Sequence, residues 1–148
     1  MPIADLLHPR QVALRLSAGD KAGALREIVQ FLAADGKLNE ADRFLEQLLE
    51  HEKARPTELE ACVALSHLRT ELVKEIVIGI GRSKKGIPFN GGASAKLIFV
   101  IGVPQRLANE YLVVVGGLAR LLRDEAVRRE LLAARSAEEF VAVLSPQT

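Results

Sequence analysis

The sequence is poor in several residue types that specify common functional classes. It has no tryptophan, and aromatic residues make up 4% of the chain, so it offers no stacking platform for the bases of RNA or single-stranded DNA. Its 20 basic residues balance 19 acidic ones, for a formal net charge of +1. No bulk field of one sign therefore attracts nucleic acid or an anionic membrane, and we expect no nucleic-acid partner.

Cysteine and long apolar runs are also scarce. The single cysteine, Cys62, excludes an internal disulfide and a multi-cysteine metal site, and suits a reducing compartment. No window approaches the roughly 20 apolar residues that a membrane helix needs. The N-terminal segment MPIADLLHPRQ lacks a basic, apolar signal sequence. We therefore expect a cytoplasmic protein that does not insert into a membrane.

What the chain does contain is a mixture of helical and strand-like apolar periods. Its 148 residues, 49% of them hydrophobic, predict one domain over 1–148 with a substantial core. Strands are predicted at VALRLSA, ACVALS, KEIVIGIG and AKLIFVIGV, and helices after Asp20, Asn39, Pro104, Asp124 and Ser136. Because strict strand–helix alternation is missing, we predict an α/β fold, a three-layer α/β/α sandwich with a central mixed β-sheet.

The glycine-rich stretch GIGRSKKGI does not form a nucleotide motif. Gly81 and Gly86 have the spacing of a Walker phosphate loop, but Ile87 and Pro88 follow where lysine and a hydroxyl are required. The dinucleotide fingerprint fails because Lys84 stands at its third glycine. We interpret GRSKKG and NGGAS as turns, with no cofactor bound.

The histidines are the remaining candidates for chemistry. His8, His51 and His67 form no recognised metal motif, so we expect no metal site. Cys62 is interpreted as a packing residue on the opposite strand face from His67. His67 ends the strand ACVALS, and Arg69 follows two residues later. The residues alone leave open a polar strand end in a structural protein or a nucleophile beside a cation.

A family resemblance favours the second interpretation. The segment LLEHEKARPTELEACVALSHLRT resembles the active-site region of EIIA proteins of the bacterial phosphoenolpyruvate-dependent phosphotransferase system, in the fructose, mannitol and nitrogen-regulatory class. That family typically reads Arg-Glu-Lys, a glycine-rich Ser-Thr-Gly stretch, then Val-Ala-Ile-Pro-His with a basic residue two positions on. The likeness extends from about Leu6 to Leu144. The matching positions of the segment are Glu52, Lys53, Thr57, Val63, Ala64, His67 and Arg69.

The resemblance implies that His67 accepts a phosphoryl group from phospho-HPr or its nitrogen-branch counterpart. It then relays the group to a cysteine of an EIIB domain of a transporter, or holds it as a regulatory switch. A neutral imidazole is nucleophilic near physiological pH, and Arg69 is assigned to charge stabilisation. His51 stands at the family's arginine and Tyr111 at its second active-site histidine, so both are assigned supporting roles. The oligomeric state, a homodimer included, stays open.

The departures from the family motivate an alternative. Ser66 replaces the proline before the nucleophile, and Glu58, Glu60 and Cys62 replace glycines of the loop. The alternative is a non-catalytic regulatory module that keeps the fold and binds a transporter or another partner without phosphotransfer.

Overall fold

The computed structural model describes residues 3–145, which alternate between helical layers and one sheet. The helices of this part of the chain are α1 (Lys21–Ala34), α2 (Ala41–Ala54), α3 (Ala108–Leu122), α4 (Glu125–Ala133) and α5 (Ala137–Leu144). The strands are β1 (Val12–Ala13), β2 (Leu59–Glu60), β3 (Val63–Arg69), β4 (Val77–Phe89) and β5 (Ala93–Val103). Short 3₁₀ turns lie at Ile3–Leu6, Pro9–Gln11 and Gln105–Leu107. The extension of one domain to 1–148 stays a prediction, and its ends lie outside the described residues.

The sheet is mixed, as predicted. Its order within residues 3–145 is β1-β4-β5-β3-β2. β1 runs parallel to β4 and β3 parallel to β5, whereas β4–β5 and β2–β3 are antiparallel. β5 occupies the centre and is buried from Leu97 to Val103, because an inner strand covered on both faces has no side for polar residues.

Two apolar cores flank the sheet and confirm the three-layer arrangement. One lies under α3, α4 and α5 and includes Phe99, Ile101 and Phe140. The other lies under α1 and α2 and includes Ile98 and Phe44. Because side chains alternate along a strand, successive residues of β5 enter different cores.

Most predicted helix starts are confirmed by capping contacts. The side chain of Asp20 accepts from the Gly23 N–H, that of Asp124 from the Ala126 N–H and that of Ser136 from the Glu139 N–H. Each contact satisfies a backbone donor that the first turn leaves unpaired. The prediction that Asn39 opens α2 is wrong by one residue, since Glu40 is the N-cap and makes no side-chain cap.

One strand prediction and one turn prediction need correction. VALRLSA forms a strand only over Val12–Ala13. The Leu16 N–H still donates to the Arg82 carbonyl of β4, but the Ser17 and Ala18 N–H groups donate to the Glu27 carboxylate instead. GRSKKG is not a hairpin turn. β4 continues through it, with a register shift between Arg82 and Ile87.

The shift is a bulge in which residues 83–86 of β4 face a single residue of β5. Gly86 lies in this bulge with a φ of 87°, a left-handed conformation that favours glycine. The hairpin turn lies at NGG, where Asn90, Gly91 and Gly92 all have positive φ, as the motif predicts. The same residue types therefore build a bulge in one place and a turn in the other.

A search for membrane spans gives a negative result for residues 3–145: none of their helices is both long and apolar enough to cross a bilayer.

Candidate active site around His67

β3 carries His67 close to its C-terminal end. Val63, Leu65, His67 and Arg69 alternate with Ala64, Ser66 and Leu68 along this strand, so the two sets face opposite sides of the sheet. Val63 belongs to the core under α3, whereas Ala64 and Leu68 belong to the core under α1 and α2. His67 therefore faces the α3 layer, in register with Ile101 of the central strand.

Three of the predicted site residues meet at this point. The ring of Tyr111, in the first turn of α3, lies 5.2 Å from the His67 ring between centroids. The ring of His51, in the last turn of α2, lies 6.2 Å from it. All three side chains are half-buried. The end of one helix and the start of another thus bracket the imidazole that ends the strand.

The fourth predicted residue, Arg69, is exposed at the end of β3. Burial raises the pKa of the Tyr111 phenol, and the charge of Arg69 opposes that increase. Within residues 3–145 Arg69 makes no ion pair. Its charge is therefore available to an anion that approaches His67.

The environment of His67 keeps its imidazole neutral. Burial lowers the pKa of this ring, and the like charge of His51 lowers it further; the Leu65 backbone and the Glu52 carboxylate act in the opposite direction, and the pKa falls below its usual 6.5. The buried Nδ1 atoms of His67 and His51 have no hydrogen-bond partner among the described residues. A neutral ring at pH 7 is the nucleophilic form.

Glu52 is a residue of this site for which the sequence alone predicts no role. It is 4% exposed, and its carboxylate accepts from Ser66 Oγ at 2.7 Å and from the Thr57 N–H at 3.0 Å, as well as from the Thr57 hydroxyl. Lys21 Nζ forms an ion pair with it at 2.6 Å. Glu52 thus joins α1, α2, the following loop and β3 one residue before His67.

The charge state of Glu52 follows from these donors. Burial disfavours its ionised form, but the hydrogen bonds from Lys21, Thr57 and Ser66 outweigh burial and lower the pKa of the carboxyl. The carboxylate is therefore ionised, and its oxygens bond Lys21, Thr57 and Ser66. A sequence signal was present, because Glu52 continues the apolar face of α2 at four-residue steps from Phe44 and Leu48.

The network also holds the hairpin turn of β4 and β5. Lys21 Nζ donates to Asn90 Oδ1 at 2.8 Å, and the Asn90 amide donates to the Thr57 carbonyl. Lys21 further lies 5.3 Å above the centre of the Phe89 ring. The loop that precedes β3 is therefore fixed from two sides.

The surface beside Tyr111 is apolar. Leu112 is 67% exposed and Val113 is 61% exposed, on the helix that contacts His67. Of the acids that replace the family's glycines, Glu60 pairs with Arg123, the residue that follows α3, at 3.2 Å. Exposed apolar residues that cluster on a surface mark candidate protein docking sites. Among residues 3–145, side chains form no group of three or more ligands suited to a metal ion.

Comparison with known proteins agrees with this geometry. The sequence model of the family described as phosphoenolpyruvate-dependent sugar phosphotransferase system, EIIA 2, matches residues 5–146. The chain belongs to this family. A nitrogen regulatory protein of Bradyrhizobium diazoefficiens is 31% identical over 147 residues, covering 98% of this chain and 95% of its own.

Another EIIA 2 relative is much longer. The chain is 29% identical to the fructose-specific EIIABC component of Bacillus subtilis, and the match covers 98% of this chain but 23% of the relative. This chain therefore corresponds to less than a quarter of that multidomain protein.

Solved structures show the same fold. The nitrogen regulatory protein IIA-Ntr from Neisseria meningitidis superposes with a TM-score of 0.86 at 30% identity, covering 96% of this chain and 98% of its own. The mannitol enzyme IIA of Escherichia coli, in a complex with phosphorylated enzyme IIB, has a TM-score of 0.79 at 22% identity and covers 95% and 98%. At that identity the second comparison concerns the fold alone.

Proposed function

We propose that this EIIA family member accepts a phosphoryl group on His67 from a phosphorylated HPr-type carrier. It then transfers the group to an EIIB cysteine or retains it as a regulatory signal. The observation that carries the proposal is a neutral, half-buried imidazole at the end of β3, on the same strand face as the guanidinium of Arg69.

The chemistry requires little beyond position and charge. A lone pair of the His67 imidazole attacks phosphorus while the bond to the carrier's histidine nitrogen breaks, so the carrier imidazole leaves as the phosphohistidine forms. Because Nδ1 of His67 is buried, we expect Nε2 to attack. The transferring group spreads negative charge over its oxygens, and nearby donors stabilise it.

Donors for these oxygens surround His67. Arg69 supplies a guanidinium, Tyr111 a hydroxyl, and His51 a ring that donates when protonated. Tyr111 lies in the first turn of α3, where the helix dipole also favours an anion. The group can leave by the same route, by attack of an EIIB cysteine thiolate on phosphorus.

The direct test is phosphoryl transfer to the purified protein. Incubation with labelled phosphoenolpyruvate, enzyme I and HPr, or their nitrogen-branch equivalents, is expected to give an acid-labile adduct that peptide mapping places on His67. An established EIIA protein serves as the positive control. Absence of label under conditions that modify the control, or label on another residue, would remove the proposal.

The pH dependence of His67 gives a second prediction. The neutral ring reacts, and because its pKa is lowered, the neutral form persists to more acidic pH than in a free histidine. We expect a nuclear magnetic resonance titration of His67 with a midpoint below 6.5, and a labelling rate that declines only as pH falls through that midpoint. His51→Gln removes the like charge, so the midpoint should rise. A wild-type midpoint at or above the usual value would contradict the electrostatics.

The alternative function is a docking module that acts without phosphotransfer. The exposed pair Leu112 and Val113 favours it, because a partner can bind this surface without chemistry at His67. Affinity for an EIIB domain or a transporter that is the same for the wild type and a His67 variant, in a protein that takes no label, would support the alternative.

A further inference from the structure

A groove with a marked charge imbalance lies at the opposite edge of the sheet from His67. It runs between residues 14–19, which follow β1, and residues 82–86 of β4, which include the bulge, and its volume is about 530 Å³. We call it the basic groove. β5 separates β4 from β3 in the sheet, so the basic groove and His67 are different sites. Its volume is within the range of small-molecule sites.

The charged side chains that line the groove are all cations. Arg15, Lys84 and Lys85 are exposed at its rim, Arg82 lines its wall at 3% exposure, and none of its lining residues is acidic. Within residues 3–145, the three rim cations form no ion pair. Cations on a typical surface are interspersed with carboxylates, whereas the lining residues of this groove include four cations and no carboxylate, so their net charge is positive.

Arg82 is held rigidly by neutral groups. Its Nε donates to the Leu14 carbonyl at 3.1 Å, and its Nη1 donates to the carbonyls of Leu131 at 2.9 Å and Ala134 at 2.8 Å. The Leu131 and Ala134 carbonyls lie at the C-terminal end of α4. All three carbonyls stabilise the guanidinium, but they carry no full negative charge. Nη2 makes no hydrogen bond to any residue of the described range. Burial, and then the like charge of Arg15, lower the pKa of Arg82, so two guanidiniums act on one another.

One carboxylate, that of Glu27, bonds the backbone of the segment that lines the groove. Glu27 accepts from the Ser17 N–H at 3.0 and 3.1 Å and from the Ala18 N–H at 2.6 Å. It fixes the segment that lines the groove, and it does not itself line it. The backbone of Ser17 and Ala18 is therefore fixed, and the charged side chains that line the groove are all hydrogen-bond donors.

We propose that the basic groove binds a small molecule that carries a phosphate group, such as a sugar phosphate or a nucleotide. A phosphate monoester offers several acceptor oxygens and up to two charges, which matches a lining of guanidinium and ammonium donors. The volume exceeds that of a phosphate ion, so the remainder of the ligand contacts the apolar parts of residues 14–18. This site does not depend on the chemistry proposed for His67.

Binding is tested with amide chemical-shift titrations of the whole chain by inorganic phosphate, glucose 6-phosphate and ADP. Saturable shifts are expected at residues 15–19 and 82–86. Equal affinity for the three probes would assign recognition to the phosphate group alone, and tighter binding of one organic phosphate would identify the ligand class. Both results support the site.

Matched variants distinguish binding in the groove from a general effect of the protein's net charge. The double variant Lys84→Gln/Lys85→Gln is expected to weaken binding at least tenfold, because it removes two of the cationic donors at the rim of the groove. Lys37→Gln/Lys74→Gln removes two lysine charges at exposed positions that do not line the groove and should leave affinity within about twofold. His67→Gln should also bind normally. Thermal unfolding confirms that each variant is folded.

Three results would overturn the proposal. They are the absence of saturable shifts up to about 10 mM probe, shifts centred on His67 that are lost in His67→Gln, and equal weakening by the two double variants. Binding of citrate as tight as that of the phosphates would overturn the assignment to phosphate.

Discussion

Replacing His67 with glutamine is expected to abolish phosphorylation and leave the fold intact. The substitution removes the attacking nitrogen, so labelling should fall by more than about a thousandfold. Stability should change by no more than about 1 kcal/mol, because the ring is half-buried and its Nδ1 has no hydrogen-bond partner among the described residues. Labelling by the transfer assay and urea denaturation measure the two effects.

His51→Gln is the matched control for this substitution. It removes the neighbouring imidazole at 6.2 Å and retains the nucleophile, so labelling should persist and slow by roughly tenfold, the effect of one lost donor of about 1.4 kcal/mol. If His67→Gln is still labelled at the wild-type rate, the nucleophile is a different residue. If both variants unfold as well as lose all label, the loss of label follows from disrupted packing. The assignment of His67 as the nucleophile is then not supported.

Replacing Glu52 with alanine is expected to have the largest effect on stability. The change leaves Lys21, Thr57 and Ser66 without the carboxylate that they bond. Removing one partner of a buried ion pair costs about 3–5 kcal/mol, and we expect the lower end because Lys21 remains partly accessible. The midpoint of urea denaturation at pH 7 should fall accordingly.

The same carboxylate should make stability depend on pH. The pKa of Glu52 is lowered from 4.5 in the folded protein, so the folded state binds fewer protons than the unfolded state below neutral pH. Its stabilisation is therefore complete above 4.5 and is lost as pH falls through the folded-state pKa. Glu52→Gln should show a smaller loss of stability over that acidic window than the wild type.

Glu50→Gln is the control, because Glu50 is exposed on the same helix and lies 4.0 Å from Lys53. An exposed pair at this distance contributes between about 0 and 1 kcal/mol. Equal destabilisation by Glu50→Gln and Glu52→Gln would show that helix charge, and not the buried network, is responsible. The network predicts a large difference between these two neighbours.

The Glu52 network also bears on the proposed chemistry. Ser66 bonds Glu52 on one side of β3 while His67 faces the other, so loss of the carboxylate should loosen the strand that positions the imidazole. Glu52→Gln retains an acceptor oxygen for Ser66, and we expect it to keep more labelling activity than Glu52→Ala.

Local sequence patterns predict a helix or strand well where a single capping contact or a single apolar period specifies it. The sequence predicts Asp20, Asp124 and Ser136 as helix caps, because a short polar side chain before an apolar helical period accepts a hydrogen bond from a backbone N–H of the first turn. The strand containing His67 and the helical layers followed from apolar spacing. The bulge at residues 83–86 was mistaken for a turn, because glycine and lysine occur in both and only pairing with β5 distinguishes them.

The sequence by itself determined the three-layer fold class, the family resemblance and the choice of His67, since these depend on apolar periods and on a motif within one segment. Only the tertiary structure placed His51 and Tyr111 beside His67, buried Glu52 among its donors, and gathered Arg15, Arg82, Lys84 and Lys85 around one groove. These residues come from elements far apart in the chain. The contacts of these residues depend on packing across the sheet, which no local pattern encodes.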